Sequence, residues 1–116
     1  MKVIEADEVD RIRSGSPKTP ILNVLDEEAF RSEHIPGSRS VPLRSKDFLQ
    51  RVESIAPDKK EPVVLYCSSR TCDASPTAAK KLEEAGYKNV LEFSGGVEEW
   101  KSTGHKLEKT ERQPED

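Results

Sequence analysis

No apolar run in this sequence is long enough to span a bilayer, which takes about 20 residues. The opening stretch, MKVIEADEVD, turns acidic at once and holds no apolar signal core, so the chain is read as cytoplasmic, with no membrane partner. Cysteine is scarce. Cys67 and Cys72 are the only two, five positions apart, far short of the framework of a stapled secreted domain. Two thiols also supply half of a structural zinc site, and neither histidine, His34 or His105, stands at ligand spacing from them, so no metal and no cofactor is expected. Glycine is missing between Cys67 and Ser75, which argues against a phosphate-cradling loop. An excess of positive charge is missing too: 19 Lys and Arg face 22 Asp and Glu, a net charge of −3 that does not draw nucleic acid. There is no internal repeat and no interface signal, so the chain is read as a monomer.

The 116 residues present suit one domain, which at this size buries about two-thirds of its unfolded surface. Hydrophobic residues make up 33% and charged residues 35%, so the core must be economical and the surface heavily charged. Val3-Ile4 reads as a first strand, and Ala6, Val9 and Ile12 as the stripe of a short helix to Ser14, with Asp7 as a cap. Ile21 to Leu25 reads as a buried strand, Asp26 to Glu33 as a short helix with acids in its first turn, and Ser40 to Leu43 as an edge strand. Ser45 precedes a helix carrying Phe48, Val52 and Ile55 on one face. Val63 to Tyr66 is a β-branched and aromatic run entered through Pro62, the pattern of a strand buried on both faces. Thr77 to Ala85 is helical with Ser75 as N-cap, Val90 to Phe93 is a last strand, and Val97 to Ser102 a last helix carrying Trp100. Residues 106–116 are almost wholly charged or polar and are read as a flexible tail after a folded unit spanning 1–105. Strands alternating with helices indicate α/β architecture with a mainly parallel sheet, in which ligands bind at the carboxyl ends of strands.

Cys67 stands at such an end, between the strand and a helix start. The reactive form of a thiol is the thiolate. A helix N-terminus carries about half a positive charge and several unpaired N–H groups. A loop from Ser68 to Asp73 that curls around Cys67 would aim its N–H groups at the sulfur and lower its pKa without a histidine base. Arg70 would add charge or hold an anionic substrate, and Asp73 is expected to face outward or to help cap the helix. Two plainer readings stand beside this one. Cys67 is a buried structural cysteine, or Cys72 is an incidental loop residue rather than a resolving thiol.

Five pieces of the chain, in order, resemble the rhodanese-like sulfurtransferase family: ILNVLDEEAF at Ile21 to Phe30, the turn His34-Ile35-Pro36-Gly37-Ser38, the strand Val63 to Cys67, the set Ala78-Ala79, Leu82, Gly86-Tyr87 and Asn89-Val90, and Gly95-Gly96-Val97-Glu98-Glu99-Trp100. The resemblance covers about residues 3 to 105. It implies a five-stranded, mainly parallel sheet flanked by helices on both faces. It also implies a reaction in which Cys67 takes the outer sulfur of thiosulfate, a polysulfide or a persulfide and holds it as a persulfide. A thiol, cyanide or a protein thiol then removes it. The substrate-binding loop would be Ser68, Ser69, Arg70, Thr71, Asp73 and Ala74, with its N–H groups stabilising the terminal sulfur.

The loop departs from the family pattern. Five residues after the cysteine the family has an Arg, and here that place is Cys72, with Arg70 two residues sooner. Counted back from Ala78 and Leu82, the loop is also two residues longer than usual. Lengthened loops occur in related phosphatases and arsenate reductases, which keep an Arg at the loop's end. Asp73-Ala74 stands there instead and would repel phosphate, which argues against those activities. Asn23 and Leu25 replace a usual Asp and Arg together, as a dropped ion pair. Two other functions remain open: a thiol redox or persulfide relay using Cys67 and Cys72, and a catalytically silent binding module.

Overall fold

A computed structural model describes residues 1–16 and 18–110. In chain order the elements are β1 (Lys2–Val3), α1 (Ala6–Gly15), β2 (Ile21–Asn23), α2 (Glu27–Ser32), β3 (Arg39–Ser40), α3 (Phe48–Ile55), β4 (Val63–Tyr66), α4 (Ala74–Glu84), β5 (Val90–Phe93) and α5 (Gly96–Ser102). The five strands form one sheet in the order β1-β5-β4-β2-β3. Every pairing is parallel, so the chain crosses over between strands through helices. Among the described residues no helix is long and apolar enough to cross a membrane.

β4 is the centre of the sheet, and its alternation divides the core. Val63 and Leu65 point to one side, where they meet Phe48 and Val52 of α3 and Ala78 and Leu82 of α4. Val64 and Tyr66 point to the other, against Val9 of α1, Phe93 and Trp100. All four β4 residues are fully buried, as a central parallel strand requires. Tyr66 also anchors the turn of His34 to Ser38. Its hydroxyl accepts from the Ile35 amide at 3.0 Å and bonds Ser38 Oγ at 2.7 Å, while Ser38 donates to the Ile35 carbonyl.

Several boundaries differ from those read in the sequence. β1 is Lys2–Val3, although the Ile4 amide still reaches the Glu92 carbonyl at 2.9 Å. β3, at the sheet edge, is Arg39–Ser40, one residue upstream of the reading. α4 starts at Ala74, three residues early, and Ser75 lies inside the helix rather than capping it. Pro76 is tolerated there because a first-turn N–H has no helical partner to lose. The folded unit also continues past His105. The Trp100 indole donates to the Lys106 carbonyl at 2.8 Å, Leu107 packs on the core, and His34 and Glu108 exchange two backbone hydrogen bonds of 2.9 and 2.8 Å. Composition hid this, since one leucine and a few main-chain bonds hold the segment. The rest of the tail, 111–116, lies outside the described residues.

Candidate active site

The parallel sheet sends β4 into the site and fixes Cys67 at its carboxyl end, continuing the Val63 and Leu65 side. Cys67 is fully buried. Its carbonyl accepts from the Val97 amide at 3.0 Å, and the Ser68 carbonyl accepts from Glu98 at 2.8 Å, tying the loop to the start of α5. Gly96 makes this approach feasible. Its φ is +60°, and a Cβ there would sit 2.3 Å from the Cys67 carbonyl oxygen. The second glycine of the Gly-Gly pair is thus a packing requirement of the cysteine loop.

Ser68 to Asp73 form the loop, with a turn closed by the Cys72 amide on the Ser69 carbonyl at 3.1 Å. Ser69 and Thr71 bond through their hydroxyls at 3.1 Å. Cys72 is half-buried, and both cysteines are free thiols. Here the structure corrects the sequence reading. Burial pushes the Cys67 thiol up, and its hydrogen bond with Cys72 adds to the rise, against an opposing contribution from Ser75. At Cys72 burial also works upward, but hydrogen bonds from Cys67, from the Ala74 and Ser68 amides and from the Ser68 hydroxyl outweigh it, and the thiol is lowered. The amides of Ser68 and Ala74 thus act on Cys72 and the amide of Ser75 on Cys67, where it does not offset burial.

Arg70 does not face the thiols. It is largely exposed and pairs with Glu99 Oε1 at 2.8 Å, while Glu99 Oε2 accepts from the Ala6 amide at 3.1 Å. Asp73 is exposed at the N-cap position of α4 and makes no side-chain cap bond. Ala74 opens that helix. Beside the loop lies a cleft of about 980 Å³, lined among others by Leu25, Ser68, Ser69, Val97, Lys101 and Leu107. Leu25, where the resemblance places an Arg, contributes an apolar wall. Asn23 is buried and its Oδ1 accepts from the Leu25 amide at 2.9 Å, a local turn bond in place of an ion pair.

Two site residues were absent from the sequence reading in these roles. Cys67 Sγ donates to Ser75 Oγ at 3.4 Å, and Ser75 Oγ donates to Glu92 Oε2 at 2.8 Å. Glu92 is only 4% exposed, on β5. The available signal was the acid itself: a glutamate inside the apolar run Val90-Leu91-Glu92-Phe93, read as a strand of a sheet with helices on both faces, needs a partner once buried.

This fold, with a strand-end cysteine under a loop and Gly96 packed against it, defines a rhodanese-like domain. A family model for the rhodanese-like domain matches residues 5–103, and the chain belongs to that family. Among curated relatives, the thiosulfate sulfurtransferase GlpE of Coxiella burnetii is 33% identical over 82 residues, 71% of this chain and 71% of the relative. The uncharacterized protein YqhL of Bacillus subtilis is 32% identical over 100 residues, 86% of this chain and 72% of the relative. Among solved structures, the rhodanese-like domain of the Anabaena protein Alr3790 superposes with a TM-score of 0.79 at 26% identity, covering 100% of this chain and 86% of that one. A thiosulfate sulfurtransferase from Pseudomonas aeruginosa gives 0.78 at 27% identity, covering 96% of this chain but 21% of that one.

Proposed function

We propose that this protein moves sulfane sulfur from thiosulfate, a polysulfide or a persulfide to a thiophilic acceptor, carrying it on Cys67. The observation that supports this most is a cysteine at the carboxyl end of the central parallel strand, closed over by a loop, in a chain of this family. With thiosulfate, the Cys67 thiolate attacks the outer sulfur, the S–S bond breaks, and its electron pair leaves with sulfite. Cys67 is left as a persulfide anion. Cyanide or a thiolate then attacks the terminal sulfur and regenerates the Cys67 thiolate. Intact mass after incubation with donor is expected to show one added sulfur atom in the wild type and none in Cys67→Ala. Equal uptake by Cys67→Ala would overturn the assignment.

A second reading gives Cys72 a part. Its lowered thiol, with Cys67 among the causes of that lowering, favours a resolving step. The Cys72 thiolate attacks the inner sulfur of the Cys67 persulfide in its protonated form, a Cys67–Cys72 disulfide forms as the S–S bond to the terminal sulfur breaks, and that sulfur leaves with its proton as hydrosulfide. Cys72→Ala is expected to load sulfur and keep it longer than the wild type. Equal persistence in both proteins would remove Cys72 from the cycle.

A further inference from the structure

Cys67, Ser75 and Glu92 form a buried hydrogen-bonded chain running from the nucleophile away from the loop, through α4, to β5. The three residues are 0%, 1% and 4% exposed, and the links are 3.4 and 2.8 Å. An ionised carboxylate accepts only, so the single hydroxyl proton of Ser75 is committed to Glu92. Ser75 Oγ therefore meets Cys67 as an acceptor in the resting site, which requires a protonated sulfur; the side-chain donation by which Ser75 favours the thiolate belongs to the activated arrangement. We propose that Glu92 is a positioning residue that, acting through Ser75, holds Cys67 as the thiol in the resting site and takes up its proton when the site is activated.

The chain has a second arrangement in which every member is again satisfied. The Cys67 proton passes to Ser75 Oγ as the Ser75 proton passes to Glu92. The neutral acid of Glu92 then donates to Ser75, and Ser75 donates to the Cys67 thiolate. The S–H bond of Cys67 and the O–H bond of Ser75 are exchanged for O–H bonds on Ser75 and Glu92, no bond between heavy atoms changes, and the buried group keeps the same single negative charge. Few other charged or titratable groups reach these atoms. Facing Cys67, the loop contributes Cys72, while Arg70 is turned to Glu99 and Asp73 is exposed. α5 presents the backbone of Gly96 and Val97. On the strands beside Glu92, its register neighbours are Val3 and Leu65, both uncharged. The charged residues of α4, Lys80, Lys81, Glu83 and Glu84, are exposed.

Glu92→Gln tests the proposal. An amide N–H then stands where the neutral acid's O–H would be, so the Ser75 proton is free for the Cys67 thiolate. The rate of Cys67 alkylation by iodoacetamide is measured across a pH series on the full chain, with site-resolved peptide mass. Wild type, Glu92→Gln, Ser75→Ala and the double variant are compared, with folding checked by circular dichroism. Glu92→Gln is expected to alkylate Cys67 about tenfold faster at neutral pH, with the profile displaced to lower pH. The gain is expected to vanish in the Ser75→Ala background. A Glu92→Gln profile superimposable on the wild type would overturn the proposal. So would a gain that survives undiminished without Ser75, because the carboxylate would then act through space. Should Glu92→Gln not fold, Glu92→Asp, whose carboxylate retreats from Ser75, is expected to move the profile the same way by less, and no movement there would count equally against it. The inference rests on Cys67 as nucleophile. Alkylation needs no sulfur donor, so its outcome is independent of whether sulfur loading succeeds.

Discussion

Cys67 and Cys72 are separated by four residues in the chain and by a change of environment in space. Cys67 sits on the floor of the loop, held by a strand end, a serine and a carboxylate, without exposure to solvent. Cys72 sits in the curl above, half-exposed, with amides of Ser68 and Ala74 turned to it. The floor is built to keep a proton and the curl to release one. The difference teaches that two thiols of one loop are set apart by burial and by which donors reach them: Ser75 at Cys67, Ser68 and Ala74 at Cys72.

The severest way to break this comparison is to remove the floor thiol: Cys67→Ala should abolish sulfur loading by intact mass even with Cys72 in place. Next is Gly96→Ala, which puts a methyl on the Cys67 carbonyl at a positive φ. It is expected to cost roughly 3 kcal/mol in urea unfolding, from αL strain and overpacking together. A wild-type midpoint would mean that the loop does not depend on this contact.

The two thiols should also separate by pH. Cys72, lowered, is expected to alkylate at lower pH than Cys67, raised. The reverse order would invert the comparison. The same directions act on stability with opposite signs. As pH rises through the ordinary thiol range, the unfolded chain releases a proton that folded Cys67 keeps, so Cys67 makes stability fall. Folded Cys72 has already released its proton at pH values where the unfolded chain still holds one, so Cys72 makes stability rise until the unfolded thiol ionises too. Unfolding midpoints of Cys72→Ala should therefore fall more steeply with pH than those of the wild type.

A smaller effect is expected at neutral pH from the same variant. Removing Cys72 takes away an interaction that raises Cys67, so Cys67 alkylation should quicken by roughly threefold. The smallest belongs to Arg70. Its pair with Glu99 is mostly exposed on the arginine side, so Arg70→Ala should change stability by less than about 1 kcal/mol. It should leave the order of the two thiols intact. A reversed order on losing Arg70 would mean that its charge reaches the site after all.

Much of the fold was legible because its signals are local. The apolar run Val63 to Tyr66 could be little else than a central strand, and Gly95-Gly96 before Val97 marked the close turn. The start of α4 was less legible, because Ser75-Pro76 resembles a helix start and Asp73-Ala74 carries no strong signal. Leu107 was lost in a charged segment, although it packs on the core beside Trp100's bond to Lys106. At the site, the position of Cys67 was legible and its state was not. Arg70 read as an anion holder because nothing in the sequence pairs it with Glu99, 29 residues on.

The sequence by itself determined the alternation of strands and helices, the family, and the cysteine that ends the central strand, because these follow from side-chain period and from motifs a few residues long. Only the tertiary structure decided how deeply each thiol is buried and which donors reach it, where Arg70 turns, and that Ser75 and Glu92 stand behind Cys67. Those are meetings between β4, α4 and β5, and they depend on directions and distances that no local pattern encodes. Burial and hydrogen bonding, which set how readily each sulfur ionises, exist only once those elements have packed.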